Sequence, residues 1–134
     1  MTLIATAQDG LSIAETAERT GLTSDALRYY ERDGLLLRPV HRAASGHRRY
    51  APEDLRWIEL LTRLRSTGMP IRDIRRYAAL VRNGQGTETE RLDLLRAHRR
   101  NVLDRLAEIT EHLGAIEKKI GIYEDHLAAA AEWA

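Results

Sequence analysis

Ala26-Leu27-Arg28-Tyr29-Tyr30-Glu31, then Gly34-Leu35-Leu36, then Ser45-Gly46-His47-Arg48-Arg49-Tyr50 are the stretches that decide how this 134-residue chain is read. Just upstream, Ser12-Ile13-Ala14-Glu15 has the form of a capping box, in which the serine accepts an amide at the helix start and the glutamate reaches back. Ile13, Ala14 and Ala17 give that short helix an apolar side, and Gly21 stops it. Thr23 caps a second helix with Ser24 and Asp25 in its first turn, where negative charge suits the dipole. Two short helices joined by a few residues that include glycine predict a helix-turn-helix.

On the second helix, Ser24, Asp25, Arg28, Tyr29 and Arg32 share one polar face, short near its start and long toward its end. A helix entering a major groove N-terminus first needs that profile, with Arg28 and Tyr29 at the phosphate rim. Leu27, Tyr30 and Glu31 lie on another face, and Tyr30 is assigned to packing. Pro39 then interrupts helix and Ala44-Ser45-Gly46 supplies a turn, predicting a β-hairpin wing over about residues 36–50. Arg38, Arg42, Arg48, Arg49 and Tyr50 on this wing suit phosphate or minor-groove contact, which gives grip and register more than sequence reading.

Pro52 followed by Glu53 and Asp54 starts a third helix, about 52–67, with Leu55, Ile58, Leu61 and Leu64 on its 3.6-residue period. A fourth, about 71–83, carries Ile74, Tyr77, Ala78 and Val81 on one face. The helix-turn-helix, wing and these helices make a domain over 11–83, preceded by a tail over 1–10 and followed by a linker at 84–87. Thr87-Glu88-Thr89-Glu90 is a second capping box, opening one long helix over 88–131. Its apolar residues include Leu95, Val102, Leu106, Ile109, Leu113, Ile116, Ile120, Tyr123 and Leu127, and from Val102 onward the steps alternate between four and three. That is a heptad seam, narrower than the stripe a globular core requires. A helix of ~65 Å at 1.5 Å per residue is too long to bury such a seam against its own small domain. Each of these side chains is worth roughly 1.5–3 kcal/mol on burial, so the expectation is a homodimer joined through them.

Composition narrows the function. Residues 1–86 carry 14 arginines against 10 carboxylates, whereas 87–134 carry seven basic residues against ten acidic, so the basic half is the half with the motif. Without cysteine, disulfides, thiolate metal sites and thiol redox sensing are excluded. No nucleophile–base pair, metal cluster or phosphate loop is visible, so neither catalysis nor a cofactor is expected. His98, His112 and His126 recur two heptads apart, ~21 Å at each step, and with Arg105 and Lys119 read as a solvated basic flank instead of a metal site. No apolar run approaches the ~20 residues of a membrane span, and the first ten residues do not resemble a signal peptide. A soluble cytoplasmic protein is the expectation.

These motifs, together with Leu64-Arg65-x-x-Gly68-Met69-x-Ile71-x-x-Ile74, closely resemble the MerR family of transcription regulators from Leu11 to about Asn83. The resemblance implies a mostly α fold: a winged helix-turn-helix, two further helices and an antiparallel coiled-coil dimer. It makes Arg28, Tyr29, Arg48 and Tyr50 DNA contacts. With the helix face and wing, the DNA-binding set becomes Thr23, Ser24, Asp25, Arg28, Tyr29, Arg32, Arg42, His47, Arg48, Arg49 and Tyr50. His47 departs from the family, which usually has tyrosine there, and Ala51 and Pro70 stand where capping Ser or Thr is common.

Charge pattern on the long helix favours parallel pairing, with His112 near Glu117 and Lys119 near Glu124 of the second copy. Exposed pairs contribute only ~0–1 kcal/mol, so the antiparallel arrangement that the resemblance implies remains the expectation. The resemblance also implies binding to a near-palindromic promoter site, DNA distortion that lets RNA polymerase engage, and response to a small-molecule effector of unknown identity. With seven residues after the seam, no large effector domain is expected; Tyr77, Tyr123 and Trp133 are the aromatics to watch for an effector, while core or tail packing is the favoured reading of each. Two rivals remain: a ligand-independent architectural DNA-binding protein, and a coiled-coil interaction module whose basic half docks a protein.

Overall fold

The structure, a computed structural model, describes residues 10–133. In chain order the elements are α1 (Ile13–Thr20), α2 (Ser24–Arg32), β1 (His41–Arg42), β2 (Arg48–Arg49), α3 (Pro52–Ser66), α4 (Ile71–Asn83) and α5 (Glu88–Trp133). The chain forms two compact units, the first ending at Leu95 and the second beginning at Arg96.

In the first unit, the local sequence sets the helix ends. Ser12 Oγ accepts the Glu15 N–H at 3.1 Å and Glu15 accepts the Ser12 N–H at 3.0 Å. Gly21 ends α1 in the left-handed region at φ 77°, which glycine enters without steric cost. Thr23 Oγ1 accepts the Ala26 N–H at 3.0 Å and starts α2. At α3, where Ala51 has no capping side chain, the Asp54 carboxylate accepts the Ala51 N–H at 2.8 Å instead. The buried Thr16 is satisfied by donating to Ser12 O at 2.8 Å.

α1 packs on α2 and on α3, and α3 packs on α4. The core joins Leu27 and Tyr30 of α2, Ile58, Leu61 and Leu64 of α3, and Ile74, Tyr77 and Ala78 of α4. Trp57 completes it, stacked on Tyr77 with ring centroids 5.6 Å apart and planes 10° from parallel. Tyr77 is thus a core residue, the packing role favoured for it in the sequence. On α4, Leu80 is buried and Val81 only half-buried, so the inward face is wider than the 3.6-residue pattern suggested.

The wing is shorter than a hairpin over 36–50. Its strands pair antiparallel, His41 opposite Arg49 and Arg42 opposite Arg48. Leu35, Leu36 and Val40 drop into the core instead of extending β1. Their segment is held from outside: Trp57 Nε1 donates to Leu35 O at 2.8 Å, and Arg82 donates to Gly34 O at 2.9 Å and Leu36 O at 2.7 Å.

Of the expected tail, residues 1–9 lie outside the described residues, while Gly10 is part of the fold. It has φ +78°, and a Cβ there would stand 2.5 Å from Tyr50 O. Leu11 forms a bridge with Tyr50, so the chain entering α1 borders the wing. The second capping box also takes another form. Thr87 Oγ1 turns back to the carbonyls of Leu80 and Gly84, 2.8 Å from each, and Glu88 accepts the Gly86 N–H at 3.0 Å.

The unit boundary falls inside α5, beyond the linker. Leu94 and Leu95 pack against the core of the first unit. Leu95, assigned to the dimer seam, is partly buried there. In the second unit the seam stands open: Leu106, Ile109, Leu113, Ile116, Ile120, Tyr123 and Leu127 are each about half or more exposed, from 49% at Leu113 to 70% at Leu127. Val102 is half-buried. No helix is long and apolar enough to cross a membrane among the described residues.

Candidate nucleic-acid interface

α2 presents the polar face read from its sequence. Thr23, Asp25, Arg28 and Arg32 are exposed, Ser24 and Tyr29 half-buried, and Leu27 and Tyr30 point into the core. Arg28 Nη1 meets Asp25 Oδ1 at 2.9 Å across one helical turn, an exposed pair that leaves the guanidinium accessible. The Tyr29 ring lies against Tyr30 with centroids 6.2 Å apart. At the C-terminal end of α2, the Asp33 carboxylate accepts from Arg75 of α4. The Arg75 guanidinium, and then the Tyr29 hydroxyl, hold that carboxyl below the ordinary aspartate range.

The wing closes against this helix. Arg48 Nε donates to Glu31 Oε1 at 2.7 Å, with both side chains only about a fifth exposed, 21% and 19%. Arg48 therefore ties β2 to α2, and much of its charge is already answered. Arg42 is exposed, and its Nη1 donates to Gly46 O at 3.0 Å across the turn. His47 is exposed, with Nδ1 3.2 Å from Ser45 Oγ. Arg49 is half-buried, and its charge is among the causes that lower the Glu15 carboxyl, after the hydrogen bonds from Ser12.

Tyr50 corrects the sequence reading. Its side chain is fully buried in the core, which withdraws the ring from the surface, and its backbone bridges Leu11. Burial raises its hydroxyl above the ordinary tyrosine value, and that oxygen has no hydrogen-bond partner among the described residues. Arg38, also read as a wing contact, is committed to α3 through Glu53 at 3.2 Å and Asp54 at 3.3 Å.

Arg28, Arg42, His47 and Arg48 line one groove of about 350 Å³. Its remaining wall is Ser12, Ile13 and Ala14 at the start of α1, together with Gly46. The α1 wall was missed in the sequence, although the Ser12–Glu15 capping box marks a helix start whose early amides point outward. Beside it stands the polar face of α2. A rim of guanidinium groups next to an exposed helix face suits a phosphate backbone flanking a major groove.

The MerR HTH family of regulatory proteins matches residues 11–80, and the MerR DNA-binding family matches residues 55–119. The chain belongs to the MerR family. An uncharacterized HTH-type transcriptional regulator of Haemophilus influenzae is 38% identical over 111 residues, 83% of this chain and 82% of its own. Among solved structures, a MerR family regulator from Listeria monocytogenes is similar with a TM-score of 0.83 at 39% identity, covering 92% of both chains. HiNmlR, described as a MerR family regulator lacking the sensor domain and solved bound to promoter DNA, has a TM-score of 0.78 at 37% identity. That likeness covers 87% of this chain and 92% of HiNmlR. As a MerR family member the chain is a DNA-binding transcriptional regulator, and not an enzyme.

Proposed function

We propose that two copies of this chain pair antiparallel through α5 and place their heads on a near-palindromic promoter site. The observation that carries this reading is the open seam from Val102 to Leu127. Seven of its large apolar side chains stand about half or more exposed on one helix. Such a row is costly to leave in water and matches a two-stranded coiled coil. Each head contributes Thr23, Ser24, Asp25, Arg28, Tyr29 and Arg32 toward the major groove, with Arg42, His47, Arg48 and Arg49 on the flanking backbone. Tyr50 is not among the contacts.

The half-site centres lie a whole number of helical turns apart, in multiples of ~34–36 Å. The bound dimer bends and untwists the DNA between them, bringing promoter elements into the spacing RNA polymerase needs. Such distortion costs on the order of 1–6 kcal/mol, so an effector that biases the dimer by a few kcal/mol switches the output. A footprint on the DNA flanking the chain's own gene tests the reading. Two protected half-sites related by a dyad, with altered cleavage between them, are expected. Protection of a single half-site contradicts the paired heads, and uniform cleavage between two protected half-sites contradicts the distortion.

A further inference from the structure

His47 gives the groove between α1 and the wing a titratable wall. It is exposed at the wing turn and shares that groove with Arg28, Arg42 and Arg48. The charges around it come from every neighbouring element. From α2, Arg28 is paired with Asp25 at 2.9 Å, and Glu31 is taken by Arg48 of β2 at 2.7 Å. From β1, Arg42 bonds only the Gly46 carbonyl and has no carboxylate partner among the described residues. From α1, Glu15 is turned back onto the Ser12 amide at 3.0 Å. Both carboxylates of α2 nearest the groove are therefore engaged by guanidinium groups, and an arriving anion meets Arg42 and the imidazole.

The imidazole has one nitrogen committed and one to offer. Nδ1 lies 3.2 Å from Ser45 Oγ, which leaves Nε2 for a ligand. In the neutral ring only one nitrogen carries a proton. Where Nδ1 donates to Ser45, Nε2 turns a lone pair outward, which an anionic oxygen cannot use; where the Ser45 hydroxyl donates to Nδ1, Nε2–H faces outward but carries no charge. Protonation makes both nitrogens donors and adds a charge, so the Nε2 contact becomes a charge-assisted hydrogen bond. Histidine is the side chain whose charge ordinarily changes between about pH 5 and 8.

We infer that His47 is a proton-linked phosphodiester contact: its imidazolium grips a backbone phosphate seated beside Arg42, and each wing takes up a proton as DNA binds. The inference rests on the DNA-binding reading above and extends it. DNA affinity then rises as pH falls through the histidine range.

The test is fluorescence anisotropy of the full chain on a labelled duplex from the DNA flanking its own gene, at fixed ionic strength, between about pH 8 and about pH 6. The affinity of the unmodified protein is expected to rise by up to roughly fivefold for each wing, the size of one exposed ionic contact, and so by up to about twenty-fivefold for the paired heads. His47→Gln should make affinity flat across that range. His47→Arg should be flat as well, and at the high-pH end tighter than the unmodified protein. His41→Gln, on the neighbouring strand, should keep the pH dependence. A flat profile for the unmodified protein, or an unchanged slope in His47→Gln, overturns this inference and leaves DNA binding standing. Absence of binding at every pH overturns both.

Discussion

Arg28 and Tyr50 show how differently two residues of one motif are spent. Arg28 stays exposed beside Asp25, free to turn to a phosphate. Arg28→Ala should therefore weaken DNA binding and lower the slope of log K against log salt by about 0.9 per head, about 1.8 for the paired heads, with little change in melting temperature. Tyr50 is sealed in the core with its hydroxyl unpartnered. Tyr50→Phe should leave both DNA affinity and salt slope unchanged in an anisotropy titration, and should not lower the melting temperature, since a buried unpaired hydroxyl contributes nothing that phenylalanine lacks. A loss of affinity would restore Tyr50 to the interface. The face of α2 was legible in the sequence because helical periodicity alone arranges it. The fates of Arg48 and Tyr50 were not, because each depends on a residue distant in the chain, Glu31 for one and Leu11 for the other.

At the scale of elements, the helices were readable and the wing only partly so. Capping chemistry at Ser12 and Thr23 and the stop at Gly21 act within a few residues. The segment 34–40 is shaped by α3 and α4, whose Trp57 and Arg82 take its carbonyls while Leu35, Leu36 and Val40 sink into the core. That clamp holds the chain leaving α2 at Gly34, Leu35 and Leu36. Arg82→Ala is expected to destabilise the head by about 1 kcal/mol, because two carbonyls lose a charged donor at a partly hydrated site. It should also weaken DNA binding while leaving the salt slope intact, a combination a phosphate contact would not give. Arg75 and Asp33 form the second tie between α4 and the end of α2. The Asp33 carboxyl is held below the ordinary aspartate value near 3.9, so its stabilisation is present above that value and is lost as pH falls through the lower folded one. The melting-temperature gap between the unmodified protein and Asp33→Asn should therefore be full at neutral pH and close on acidification.

Across the whole molecule, the heptad steps of α5 were legible because a repeat needs no tertiary context. The boundary between units was not. It lies past Leu95, since Leu94 and Leu95 pack against the core of the first unit while the seam from Leu106 to Leu127 stands exposed. Gly84 and Gly86 mark where the backbone turns, but core packing decides where a unit ends. Leu113→Glu, at the centre of the open seam, should abolish pairing and weaken DNA binding while leaving the melting of the first unit unchanged. The most direct measurement is the mass of the protein by sedimentation at about micromolar concentration, free and bound to its duplex. Pairing through α5 requires twice the 15.2 kDa of the chain in solution and two chains on each duplex. A species of 15.2 kDa that binds the duplex one chain at a time would contradict it.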